Sequence, residues 1–149
     1  MKKILLILTS ILILTACVNN STSVVFGDDW GIDFSLKDVT SESATLVFNQ
    51  KDGNAKGELQ TGAEFSIDKD VDGKWQPVAT NPLIDYAWHM IAYQINKNDI
   101  TELECDWKWL YGELENGHYR LNKKVIDFVK TGEFEERTYS VEFIIDEEK

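Results

Sequence analysis

The sequence predicts an all-β domain built as an antiparallel sandwich. Two observations carry this. Beyond position 30 the apolar residues recur with period two far more often than with period 3.6. The alternating runs are short, and clusters of turn-forming residues separate them. About 120 residues are available, enough for one compact domain with its own core.

The chain opens on "MKKILLILTSILILTAC", which is not part of that domain. Lys2 and Lys3 form a positive start, and residues 4–14 are apolar apart from Thr9 and Ser10. This is the layout of a secretory signal, and it is too short to span a bilayer stably. Leu14-Thr15-Ala16-Cys17 closes the stretch and resembles the lipobox of bacterial lipoproteins. The resemblance implies cleavage after residue 16 and a diacylglyceryl group on the Cys17 sulfur, hence a lipid-anchored protein on the extracytoplasmic face of the cell membrane. Two or more acyl chains hold a protein on a membrane durably. Residues 17–30 then read as the lipidated cysteine and a flexible tether, reaching roughly 20 Å as a coil. The domain is assigned to residues 31–149.

Loss of residues 1–16 removes two lysines and no acids. The remaining 13 basic and 26 acidic residues give a net charge of about −13. That balance argues against a nucleic-acid partner and against adhesion to anionic lipid by charge. With Cys17 lipidated, Cys105 is the one remaining cysteine, so no disulfide is expected within the domain.

The strands follow in order. "GIDFSLKDV" sets Ile32, Phe34 and Leu36 against Asp33, Ser35 and Lys37, and "SATLVFNQ" sets Ala44, Leu46 and Phe48 on one face. "AEFSIDKD" supplies Phe65 and Ile67, and "KWQPV" is a short strand that Pro77 assigns to an edge. "RTYSVEFIID" alternates Tyr139, Val141, Phe143 and Ile145 with polar residues. "QKDGNAKG", "DVDG" and "KTGEFEE" are read as the turns. In the middle, "NPLIDYAWHMIAYQI" fits either an irregular strand or a helical turn. "ITELECDWKWLYG" reads as a strand with Cys105, Trp107, Trp109 and Tyr111 on one face.

"LYGELENGHYRL" places Leu114, Gly117 and Tyr119 in an L-x-x-G-x-Y pattern ahead of an alternating run. It looks like the tyrosine corner of Greek-key sandwiches, in which a tyrosine bonds back to the backbone of the preceding corner. Leu121 stands where antibody domains carry a cysteine. Together with "GELQTG", "DGKW" and "WLYGELENGHYR", the text from residue 31 to residue 145 resembles a bacterial immunoglobulin-like domain of exported proteins and lipoproteins. The resemblance implies an Ig-like Greek-key β-sandwich of about seven strands at the cell surface. It carries no catalytic or binding residue over to this chain.

"DKDVDG", residues 68–73, begins as an EF-hand loop does, with aspartates at alternate positions before a glycine. The twelfth position holds Ala79 where calcium needs a bidentate glutamate, and the flanks read as strands. Asp72-Gly73 is instead a hairpin turn. His89 and His118 lack neighbouring ligands at zinc spacing, so no metal site and no cofactor are assigned. No nucleophile motif appears; a carboxylate pair such as Glu113 and Glu115, or Cys105 with either histidine, is the most an enzyme reading offers. The chain therefore reads as a non-enzyme.

Five tryptophans are the better clue. Trp75, Trp88, Trp107, Trp109 and Tyr111 either fill the core or form a platform for sugar rings. Turn-adjacent Trp30 and Trp75 are expected to be partly exposed, and Trp30, Trp75 and Trp88 are the candidate binding residues. The sequence thus predicts a surface module that binds a protein or serves structurally, with recognition of cell-wall glycan as the alternative.

Overall fold

The computed structural model describes residues 28–146. The expected signal sequence, the expected lipidation site Cys17 and the expected tether up to residue 27 lie outside the described residues, as do residues 147–149.

Alternation in the sequence becomes two antiparallel sheets. The first takes β1 (Ile32–Lys37), β2 (Ser43–Gln50) and β6 (Ile100–Asp106) in the order β1-β2-β6. The second takes β3 (Glu58–Val71), β4 (Lys74–Pro77), β7 (Gly117–Lys130) and β8 (Glu133–Ile145) in the order β4-β3-β7-β8. A two-residue strand, β5 (Tyr93–Gln94), also pairs with β3. In immunoglobulin lettering the sheets are A-B-E and C′-C-F-G, so strand D of the constant type has no counterpart among the described residues.

The inward faces meet in one core. Phe34 and Phe48 stack across β1 and β2 at 4.8 Å, and Trp107 stacks on Phe143 at 5.4 Å. Ile67, Leu121, Val125 and Val141 fill the space between and are fully buried. Each such side chain contributes about 1.5–3 kcal/mol through burial, which is how the domain holds together without a disulfide. Cys105 is a free, buried thiol.

Four local features depart from the sequence reading. β3 starts at Glu58, well before "AEFSIDKD", and a bulge between Thr61 and Phe65 interrupts its pairing with β7. That bulge absorbs Gly62 to Glu64 and keeps Leu59 and Phe65 on the same inner face. "KTGEFEE" is mostly strand: the turn is Thr131-Gly132 alone, and β8 continues the ladder past the end of the core. Residues 78–99 are irregular apart from β5, neither a full strand nor a helix. Finally, β6 stops at Asp106 and the chain makes one helical turn, α1 (Lys108–Tyr111). That turn sends Leu110 into the core and Trp109 out, so Trp109 does not share the inward face of Cys105 and Trp107.

The Asp72-Gly73 hairpin forms as read. Both residues have positive φ, 55° and 79°, the pair a type I′ turn needs.

Candidate functional site

The tryptophans divide by environment. Trp30 is 2% exposed, against the expectation of a partly exposed binding residue. The segment just ahead of β1 folds back onto β8: the Arg137 guanidinium lies 3.9 Å over the Trp30 ring. Arg137 also pairs with Asp28 at 3.3 Å and Asp29 at 2.5 Å, and the Tyr139 hydroxyl donates to Asp28. Residues 28–30 therefore belong to the domain, not to the tether. Trp75 is half-buried; Arg120 covers its face at 4.7 Å and His118 meets its edge at 5.1 Å. Trp107 is fully buried and donates its indole N–H to the Ser41 carbonyl at 2.9 Å.

Trp88 and Trp109 behave differently. They meet at 5.6 Å, and Tyr86 closes a triangle at 5.8 Å from Trp88 and 6.0 Å from Trp109. Trp88 is anchored below by Phe65 at 5.2 Å. Tyr86 and Trp109 are 40% and 41% exposed. All three pairs are edge to face, with interplanar angles of 75–78°. The cluster is a ridged wall, not a flat platform.

This wall bounds a groove of about 870 Å³ on the open side of the sandwich, between the edge of β6 and the bulge of β3. Leu46, Leu103 and Cys105 line it from the first sheet, and Gly62, Phe65 and Lys123 from the second. Its size lies within the range of ligand sites. The irregular segment 78–99 supplies Tyr86, Trp88, His89 and Tyr93 to the rim, along with Asp85. Leu83, Met90 and Ile91 of the same segment are exposed.

Lys123 is the residue that the sequence reading missed. It takes an inward position between Leu121 and Val125 on β7 and is 3% exposed. Its ammonium donates to the Gly62 carbonyl at 2.6 Å and the Glu64 carbonyl at 2.8 Å, groups that the bulge frees from the ladder. Burial pulls its pKa down to about 8. A lysine in register with inward apolar residues was the available signal. Nearby, burial pushes the Cys105 thiol up to about 12, so the thiolate that chemistry would need is absent near neutral pH.

The other named residues are occupied elsewhere. His118 stands between Asp70 (3.5 Å) and Glu142 (3.0 Å), so it is no partner for Cys105; His89 does line the groove. Glu113 pairs with Lys108, and Glu115 lies 3.9 Å from Lys69, so they are not a matched acid and base. In "DKDVDG", Asp68 accepts bonds from Arg120 and Asn122, and Asp70 accepts the Gly73 N–H at 2.8 Å. Among the described residues no group of three His, Cys, Asp or Glu side chains is placed to hold a metal. At the corner, the Tyr119 hydroxyl donates to the Glu115 carbonyl at 2.7 Å, Leu114 is buried, and Gly117 lies against Lys69 and the Tyr119 ring.

The profile of the bacterial Ig-like domain matches residues 28–144. The chain belongs to that family. The match covers both sheets of the Ig-like domain. No curated protein and no solved structure matches the chain.

Proposed function

We infer that this protein is a lipid-anchored, extracytoplasmic binding module that engages a protein partner through the aromatic groove between β3 and β6. An Ig-like domain of this family is a structural or binding module of the cell surface, and the groove favours binding. The carrying observation is the edge-to-face cluster in which half-buried Trp88 supports the exposed Tyr86 and Trp109. Monomeric surfaces rarely expose contiguous aromatic and aliphatic groups unless something docks there, and Trp and Tyr are the residues that dominate protein contacts. Perpendicular rings give a sugar no broad face to stack on, so a protein is preferred to wall glycan. The protonated Cys105 thiol fits a module without catalysis. Anchoring rests on the lipobox ending at Cys17 and on the acidic charge, which gives no electrostatic hold on the membrane.

The test is capture on purified cell wall and on solubilised surface proteins, with Trp109→Ala beside the unaltered chain. Retention of one protein, lost with Trp109→Ala, supports the reading. Retention by glycan alone, or a protein captured equally by both chains, overturns it.

A further inference from the structure

The free edge of β6 faces into the groove. Strand register pairs Asn49 with Ile100 and Ser43 with Asp106, and two further bonds continue the ladder: Gln50 N–H to Asp99 at 3.1 Å and Trp107 N–H to Glu42 at 3.0 Å. Antiparallel pairs alternate between bonded and non-bonded. Residues 101, 103 and 105 therefore spend their backbone groups on β2. The N–H and C=O groups of Glu102, Glu104 and Asp106 point the other way, along the groove that residues 102–106 line. Among the described residues no strand lies beyond β6. This is the place that strand D fills in the constant-type sandwich.

We propose that the groove binds an extended segment of a partner protein as an added strand on β6, with basic residues alternating with apolar ones. The proposal rests on the groove reading above and specifies its ligand. Residues of the added strand opposite Leu103 and Cys105 point inward, against Phe65 and Trp88; apolar side chains fit there. Residues opposite Glu102, Glu104 and Asp106 point outward, beside the Glu104 and Asp106 carboxylates, with Asp85 also on the rim; the Glu102 carboxylate is already paired with Lys37 at 2.6 Å. Opposite charges directly across a ladder attract, and like charges repel. The same carboxylates disfavour a second copy: β6 against β6 would set acid against acid, a usual protection of free edges. A chain carrying 26 acidic and 15 basic residues adds a long-range pull on a basic segment. Main-chain bonds would hold the segment and the alternating side chains would select it.

The test uses the full chain in detergent micelles and a synthetic peptide of about seven residues alternating lysine and valine. Controls are the same residues in two blocks, an alternating glutamate–valine peptide, and the lysine–valine peptide N-methylated at alternate positions. Amide exchange at Glu102, Glu104 and Asp106 is followed throughout. The proposal expects the alternating basic peptide to bind at least about tenfold more tightly than each control and to slow exchange at those three amides. Glu104→Pro removes one edge-facing N–H without touching the β2 ladder, and it should abolish binding; Glu104→Gln keeps the N–H and should weaken binding about threefold. If Glu104→Pro does not fold, the N-methylated peptide carries the same distinction. Equal binding of block or acidic peptides overturns the proposal, as does binding without protection at β6. So does protection before any peptide is added, which would mean that residues 18–27 or a second copy already cover the edge. If no alternating peptide binds but Trp109→Ala still loses a captured protein, strand addition fails while the groove reading stands.

Discussion

Lys123 carries a charge into a place built of apolar side chains, and that mismatch has a measurable sign. Below about pH 8 the folded and unfolded chains both hold the proton, and the fold bears the cost of a buried ammonium. From about 8 to the ordinary lysine value near 10.4, the unfolded chain keeps a proton that the folded chain has shed, so stability rises with pH. Cys105 acts in the opposite sense. Its folded thiol keeps a proton that the unfolded thiol loses above about pH 8.5, so stability falls as pH rises. A Cys105→Ala chain should show the Lys123 effect alone, a gain of about 2 kcal/mol in urea denaturation between pH 8 and pH 10. Adding Lys123→Met should flatten that slope. At this scale the sequence was legible where a residue's parity and character agreed, as for Phe48 or Val141. It misled at Trp30, because nothing local shows that Arg137, more than a hundred residues away, lies on that ring.

The strands were readable because alternation is a local property of a half-buried sheet. Residues 78–99 were not, since they pack against the side of the sandwich and follow no repeat. The turn α1 was hidden by coincidence: Trp107, Trp109 and Tyr111 alternate in sequence, yet helical spacing carries Leu110 to the core after Trp107. The two positions separate in stability. Leu110→Ala should cost about 2–5 kcal/mol by leaving a cavity, whereas Trp109→Ala, which gives up its edge contacts with Tyr86 and Trp88 on a side chain 41% exposed, should cost less, about 1–2 kcal/mol; thermal unfolding of both variants checks this. The groove was therefore half legible. Trp88 was among the candidates, but its neighbours come from an irregular segment, a helical turn and a bulge. In the β3–β4 hairpin, Gly73→Val forces a β-branched residue to positive φ. It should lower stability by about 1–2 kcal/mol in the same measurement, while leaving groove binding intact.

On the scale of the whole molecule, the acidic balance offers no electrostatic hold on a membrane, so the proposed anchoring rests on a lipid at Cys17. Cys17→Ser should move the protein from the membrane fraction to the soluble fraction at any salt concentration, whereas salt alone should release little of the unaltered chain. The family and the two sheets emerged from alternation and a few motifs; the groove did not, because it exists only where the sheets part. One consequence concerns force. A pull on the chain ahead of Asp28 does not meet β1 first. It meets Arg137 and Tyr139, which fasten Asp28, Asp29 and Trp30 to β8. Tension from the N-terminal side is thus shared with the last strand of the opposite sheet, and the sandwich is loaded as a clasped unit instead of being peeled open from its first strand.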